Sequence, residues 1–259
     1  MLKLIVCEFQ KLKRKKLFQL AFATSFLMPL LYSILLRDSN LDDLMTVVRE
    51  ENGFLLLIPL TVVLAANLFF QEHDYDSLKN LACVPVPLGR LALAKLGVLL
   101  LFDVAYQMVG AAVAVLMALR GGIPLDGLGL QLALTLATGV LVWAVAMPCI
   151  LLVVWCNKSY IISVLIAFAY TTLCFLLRIT DHFMMVPLGL NAASLLPTPM
   201  VFRWLYQFHS TEAVGEATLA FYTRLSPYFV STPVVFAVLL GEALVCVLLM
   251  MKLYRRQER

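Results

Sequence analysis

The stretch "FLLLIPLTVVLAANLFFQEHDYDSLKNLACVPVPLGRLALAKLGVLL", residues 54–100, decides the fold because two apolar runs enclose an interval of acids, amides and prolines. A helix rises about 1.5 Å per residue, so about 20 apolar residues cross a hydrocarbon core of about 30 Å. The stretch therefore predicts two membrane-spanning helices joined by a polar loop.

The whole chain has the composition of an integral membrane protein. Its 259 residues are 62% hydrophobic and 14% charged, against about 25% charged in soluble domains, and the mean hydropathy is +0.92. Six segments have the length and character of spans, at residues 17–36, 54–70, 91–119, 128–155, 160–177 and 232–251. We therefore predict an all-α polytopic membrane protein, with residues 1–259 forming one transmembrane domain and the first span retained.

The basic residues predict how the bundle is oriented. With six spans and both termini inside, the basic residues left outside are Arg37, Arg49, Arg120, Arg178, Arg203 and Arg224. The other fourteen of the 20 Lys and Arg residues are then cytoplasmic, as the positive-inside rule requires. The formal charge of +4 follows from this asymmetry and does not indicate a nucleic-acid partner.

Residues 1–16 predict an amphipathic helix before the first span. Their apolar positions recur at helical spacing, at Leu2, Ile5, Val6, Phe9 and Leu12. Such a helix would lie in the cytoplasmic interface with its basic side toward anionic lipid headgroups. The alternative is that the basic run only anchors the first span.

The first outer loop is expected to be acidic. Its carboxylates are Asp38, Asp42, Asp43, Glu50 and Glu51, set against Arg37 and Arg49. An acidic mouth would favour cationic ligands, whereas outer loops are often acidic simply because basic residues are kept inside.

Residues 178–231 are expected on the outer side. The part 184–205 is apolar enough for a span, but three prolines interrupt it, so we predict a re-entrant or surface-lying helical stretch. Phe202 and Trp204 offer adaptable apolar surface, and Arg203 could meet a phosphate or carboxylate of an amphiphilic substrate. The alternative is an interfacial helix that caps the bundle.

The polar interval 72–89 predicts a short cytoplasmic helix. Asp74 or Asp76 can cap its start, and Pro85 forces the preceding residue out of helical geometry. A simple turn between spans needs only a few residues, so a capped amphipathic helix suggests a docking surface for a cytoplasmic partner. The alternative is a helix on the lipid surface, which the acidic first turn disfavours.

This interval resembles the first cytoplasmic loop of permease subunits of ABC transporters of the second exporter type, closest to the bacitracin-export and lantibiotic-immunity branch. In that family a glutamate ends the second span, a Gly-Thr-Leu-Lys-like segment starts a coupling helix, and proline then arginine lead to an Ala-Lys pair. The matching positions are Glu72, Ser77, Leu78, Lys79, Asn80, Leu81, Pro85, Arg90, Ala94 and Lys95, whereas Asp76 stands where the family usually has glycine.

The resemblance implies a half-transporter that exports a peptide antibiotic or another amphiphile across a bacterial plasma membrane. It would pair with a second permease copy or a paralogue and with two ATPase subunits, which would carry the ATP and Mg²⁺. The coupling residues would be Glu72, Asp74, Asp76, Leu78, Lys79 and Leu81. The chain has no G-x-x-x-x-G-K-[ST] sequence, so we expect no cofactor and no enzymatic activity in this chain itself.

Asp103 and Glu242 are the acids deepest in the predicted spans, each expected near the bilayer midplane. An acid there costs about 2.5–3.5 kcal/mol on insertion scales, which points to a role. Three interpretations remain open: a polar contact between the third and sixth spans, a hydrogen bond at a dimer interface, or a part of the substrate path.

Two other function classes compete with a transporter. An intramembrane enzyme would need a catalytic constellation, but H-E-x-x-H and G-x-S-x-G are absent and the three histidines lie outside the predicted spans. A non-transporting sensor or immunity subunit would share the same spans. Co-purification with an ATPase would favour the transporter.

Overall fold

The computed structural model describes residues 2–35, 40–74, 88–156, 159–189, 191–209 and 215–257, and these residues form helices and turns without strands. In chain order the helices are α1 (Leu2–Lys13), α2 (Lys16–Leu35), α3 (41–74), α4 (Leu88–Gly121), α5 (Leu128–Cys156), α6 (Tyr160–Ile179), α7 (Asp181–Met184), α8 (Ala192–Leu195), α9 (Pro197–Leu205), α10 (Glu216–Leu225) and α11 (Thr232–Gln257).

Six of these helices, among the residues described, are long and apolar enough to cross a membrane: α2, α3, α4, α5, α6 and α11. The all-α polytopic fold is thus confirmed. The central helices α3, α4 and α5 are mostly buried, whereas α2, α6 and α11 expose many of their apolar side chains, as lipid-facing helices do.

The second span begins earlier than predicted, at Leu41 instead of Phe54, and the expected acidic loop is largely helix. Asn40 and Asp43 form a capping box at its start. Its apolar face, Leu41, Leu44, Met45 and Val48, packs on Ala111, Ala114 and Ala118 of α4. The small side chains of α4 admit this close contact, and the residues from Val48 to Leu57 wind as a π-helix.

The two ends of the bundle differ in chemistry. We call one the lysine end, where Lys15, Asn67 and Lys95 meet, and the other the ion-pair end, where Glu50 and Arg178 meet. Helix α3 ends and helix α4 begins at the lysine end, because α3 passes Asn67 toward Asp74 and α4 begins at Leu88, a few residues before Lys95.

Helix α1, predicted from the apolar spacing, lies against α4 at the lysine end. Leu12 is fully buried and Phe9 is partly buried, whereas Leu2 and Val6 are exposed. Glu8 is buried as well, and its carboxylate accepts a hydrogen bond of 2.5 Å from Lys11.

The segment between α6 and α11 contains short helices, and none of its described residues belongs to a candidate span. The principal element is α9, a helix of nine residues in which eight are buried. It packs on α5, α6 and α11, so it is inserted among the spans at their ends.

Candidate functional sites

The lysine end joins three spans by hydrogen bonds. Lys15 donates to the side chain of Asn67 at 2.7 Å, which links the start of α2 to α3. Lys95, fully buried in α4, donates to the backbone carbonyl of Leu68 at 2.7 Å and lies 5.0 Å from the ring centroid of Phe69. Burial, and then the charge of Lys95, lower the pKa of the Lys15 ammonium.

Two further contacts bring α1 and α5 into the same unit. The side chain of Ile5 on α1 lies 3.4 Å from the place that a Cβ would occupy on Gly97 of α4, so glycine allows the close approach. Trp143 of α5 donates from its indole nitrogen to the carbonyl of Leu96 at 3.1 Å. Helices α1 to α5 are therefore connected at the end of the bundle where α3 ends and α4 begins.

The predicted coupling residues fall on this interval. Glu72 and Asp74 lie in the last turn of α3, whose backbone is helical. The others, Asp76, Leu78, Lys79 and Leu81, lie outside the described residues. The coupling helix remains a prediction, attached to the structure at α3 and α4.

Asp103 is fully buried on α4. Thr61 of α3 donates to its Oδ1 at 2.5 Å, and its Oδ2 has no hydrogen-bond partner in the described part of the chain. Thr61 precedes Asn67 of the lysine end by roughly 9 Å of helix, at about 1.5 Å per residue. The position of Asp103 near the bilayer midplane stays a prediction.

Among the described residues, the hydrogen-bond partner of Asp103 is therefore on the second span, and a contact with the sixth span is not seen there. Glu242 is half-buried on α11, and no hydrogen bond or ion pair joins it to Asp103 among the residues described. A role of Glu242 in a dimer contact or a substrate path stays a prediction.

Uncharged polar side chains in the spans were missed by the sequence analysis. Asn52 donates to the carbonyl of Ser25 at 2.8 Å, which joins α3 to α2. Gln107 lies against Gly53, and neither of its amide atoms has a partner within the described ranges. The signal for Gln107 in the sequence is its place one helical turn after Asp103 and one turn before Gly110, within a mostly apolar span.

At the ion-pair end, Arg178 of α6 forms salt bridges with Glu50 and with Glu51, the latter at 3.1 Å. A second group surrounds the buried Arg49, whose guanidinium donates to Gln131 and lies 3.5 Å from the Asp42 carboxylate. Gln131 in turn donates to Asp42 at 2.7 Å. These contacts join α3 to α6 and to α5.

The expected acidic mouth is corrected by these contacts. Glu50 and Arg49 are buried and paired because the helix that contains them is packed into the bundle. The cavity lined by Glu50, Arg178 and Phe202 has a volume of about 10 Å³, which is no larger than the space for one water molecule.

His209 connects the segment after α9 to the same cluster. Its Nε2 lies 2.9 Å from the Thr46 hydroxyl and 3.4 Å from a carboxylate oxygen of Glu50. Burial lowers the pKa of His209, with Arg49 and Arg178 acting in the same direction and Asp42 and Asp43 opposing it. Burial also raises the pKa of the nearby Tyr222 to about 12.

The residues predicted to contact an amphiphile lie in the packed interior. The ring of Phe202 lies 4.6 Å from that of Phe54 and is tilted by 48° against it. Arg203 donates to the carbonyl of Tyr228 at 2.7 Å, and Trp204 donates to the Thr232 hydroxyl at 2.9 Å. Burial lowers the pKa of Arg203. In this structure the three side chains hold α9 in place, and their contact with substrate stays a prediction.

A sequence model of the family described as "ABC-2 family transporter protein" matches residues 4–174. The comparison with curated proteins gives no match. The matched residues include most of α1, the whole of α2 to α5, the lysine end and the interval between α3 and α4. Together with the six apolar spans, this match shows that the chain belongs to the ABC-2 transporter family and is a multi-pass permease subunit of an ABC transporter.

Proposed function

We propose that this permease works in an ATP-driven exporter of a peptide antibiotic or a similar amphiphile, and that force from the ATPase enters at the lysine end. The observation that carries the proposal is the connection of α1 to α5 around the base of the 72–89 interval. A partner that moves this interval would move α3 and α4, and both are tied to their neighbours by buried or partly buried hydrogen bonds.

In this mechanism a separate ATPase subunit binds ATP and Mg²⁺ and receives the helix predicted within residues 72–89. Displacement of that helix reaches α4 through the bond from Lys95 to Leu68 and reaches α2 through the bond from Lys15 to Asn67. Helix α1 follows α4 because Ile5 packs at Gly97. A second permease copy or a paralogue would complete the transport path between the two subunits.

The charge distribution supports an orientation with the lysine end in the cytoplasm. The basic run 11–16 precedes α2 at this end, and positive residues are retained on the cytoplasmic side of membranes. An even number of spans then returns the C-terminus to the same side. The ion-pair end faces outward, as expected for a plasma-membrane exporter of bacterial type.

The peptide or amphiphile class rests on the resemblance in the first cytoplasmic loop. Peripheral helices α2, α6 and α11 expose large apolar side chains along their lengths, which suits a substrate that arrives from the lipid phase. A soluble polar substrate would instead require a hydrated path, whereas the buried polar groups described are mostly enclosed by other side chains.

The test uses the permease co-expressed with its ATPase. In one variant Leu78 and Leu81, on the proposed docking face, are both changed to Glu. We expect the ATPase to be lost on purification, or its ATP hydrolysis to fall at least tenfold, while the permease remains in the membrane. The control is Leu219→Glu, an exposed position on α10 far from the interval, which should leave hydrolysis unchanged.

Normal assembly and hydrolysis in the double variant would show that the interval does not couple the two proteins.

A second readout tests the substrate class. Cells that express the native complex should tolerate higher concentrations of a cell-wall-active peptide than cells with the double variant. Equal sensitivity across a panel of such peptides, with coupling intact, would favour a non-transporting sensor or immunity subunit.

A further inference from the structure

A recessed pocket lies beside the lysine end, between α1, α2 and α4. It has a volume of about 410 Å³ and is lined by Phe9, Lys13, Phe18, Gln19, Phe22, Phe102 and Ala105. Sites for small molecules and cofactors occupy about 300–1,000 Å³, so this pocket is large enough to hold part of a ligand.

The interior of the pocket is aromatic. The ring of Phe18 lies 5.3 Å from that of Phe102 and 6.0 Å from that of Phe9, and Phe22 lies 6.2 Å from Phe102. Phe18 and Phe102 are buried, whereas Ala105 is exposed, so the apolar space opens at the surface of the bundle. A hydrocarbon chain fits such walls because it needs no hydrogen bonds.

The rim is cationic. Lys13 lines the pocket and is exposed, and Arg14 and Lys16 beside it are exposed too. The other basic residues of this run are engaged, since Lys11 pairs with Glu8 and Lys15 donates to Asn67. One accessible cation, Lys13, therefore lies in the lining of an apolar pocket, and two more, Arg14 and Lys16, follow it closely in the chain.

This combination selects the ligand. An anionic headgroup would be attracted to Lys13, Arg14 and Lys16, while the attached chain would bury apolar area among the phenylalanines. We propose that the pocket binds one anionic phospholipid of the surrounding membrane, with its phosphate at Lys13 and an acyl chain between α1, α2 and α4. This site is independent of the ATPase coupling proposed above.

The occupant is a lipid instead of a second protein copy because the lining is concave and the accessible charges at its mouth are of one sign. A second copy would present the same cations to this surface, which would repel. The membrane supplies ligands with the complementary charge at the depth where the first span begins.

The experiment titrates purified, delipidated full-length protein with phosphatidylglycerol or phosphatidylcholine and counts bound lipids by native mass spectrometry. We expect one phosphatidylglycerol to bind before all others, and phosphatidylcholine to bind more weakly. Lys13→Gln should weaken this first event about fivefold, corresponding to about 1 kcal/mol per basic residue near an anionic surface. Lys3→Gln, on the same helix and exposed, is the matched control and should bind as the native protein.

Filling the pocket provides an independent test. Ala105→Trp should weaken the first event more than tenfold, whereas Ala112→Trp, exposed two turns further along α4, should have no effect. Should Ala105→Trp fail to fold, Gln19→Trp at the exposed rim tests the same point. Unchanged binding in the filled variants, equal losses in their controls, or equal affinity for the two lipids would overturn the proposal.

Discussion

Arg178 of α6 forms a salt bridge with Glu50 of α3, and the two side chains are largely withdrawn from solvent. They are 128 residues apart in the sequence, so the bridge holds the fifth span against the second at the ion-pair end. Because Glu51 and Tyr206 contact the same guanidinium, this arginine connects three parts of the chain.

The first prediction concerns this bridge. Arg178→Met leaves Glu50 buried without its cation, and we expect the free energy of unfolding to fall by about 3–5 kcal/mol. Arg224→Gln is the control, because its contact with Asp181 is exposed and 3.9 Å long, and should cost no more than about 1 kcal/mol. Thermal unfolding in detergent measures both.

An additional substitution at the same bridge separates two causes of the stability loss in Arg178→Met. If the loss comes from the unpaired carboxylate, adding Glu50→Gln to Arg178→Met should restore part of the stability. A double variant that is no more stable than Arg178→Met would show that the arginine acts mainly through its packing on the ring of Phe202, 4.7 Å away.

The second prediction concerns pH. The pKa of His209 is lowered by burial in the folded protein, while the unfolded value is about 6.5. The unfolded chain therefore binds more protons below about pH 6.5, and stability should decrease as the pH falls through this window. The decrease is at most about 1.4 kcal/mol per pH unit for one group.

Replacement of His209 tests whether this residue causes the loss of stability at low pH. His209→Gln should remove its share of the acid dependence in melting temperatures measured from pH 8 to pH 5, about the range in which histidine titrates. His182→Gln, at an exposed position of α7, is the matched control. Identical pH profiles for the native protein and the His209 variant would assign the acid dependence to other groups.

The third prediction tests the contact between α4 and α5. A Cβ on Gly139 would lie 2.9 Å from the Cα of Val104, and backbone cannot withdraw as a flexible side chain can. Gly139→Ala should therefore cost about 1–3 kcal/mol. Gly129→Ala on the same helix meets open space and should change stability by no more than about 1 kcal/mol, or increase it. Equal melting temperatures would contradict the close approach.

The fourth prediction concerns Asp103. Thr61→Val removes its hydrogen bond while the acid stays buried, so we expect a loss of about 1–3 kcal/mol. Thr135→Val is the matched control: that hydroxyl is equally buried but donates to a carbonyl of its own helix, and its loss should cost less.

A double variant then separates structure from transport. Thr61→Val with Asp103→Leu replaces both polar partners by apolar groups and should recover stability relative to Thr61→Val alone. If Asp103 belongs to the substrate path, this stable double variant loses export at normal ATP hydrolysis. Normal export would show that Asp103 is not part of the substrate path and serves only to join α3 to α4.

The sequence predicted the number and type of the spans because apolar length alone decides them. The start of α3 was placed too late, since the charged residues from Arg49 to Glu51 suggested a loop. The helical spacing of Leu41, Leu44 and Val48 was available in the sequence as a signal. The charges themselves are tolerated because other helices supply their partners.

Long-range pairs could not be predicted in the same way. Thr61 and Asp103 are 42 residues apart, and nothing in either local segment indicates that they meet. The lysine end is similar: the resemblance identifies Lys95 as part of an Ala-Lys pair, but its bond to the carbonyl of Leu68 depends on how α3 and α4 pack. Such contacts follow from tertiary packing instead of local periodicity.

The π-helical winding of α3 from Val48 to Leu57 affects how insertions and deletions should be distributed among homologous chains. A π-turn closes its hydrogen bond over five residues instead of four, so it accommodates one residue more than an α-turn. If one residue is deleted here, the segment can return to α-helical winding. The residues of α3 on either side then keep the same faces toward the bundle. We therefore expect single-residue gaps in alignments of this span to concentrate between 48 and 57.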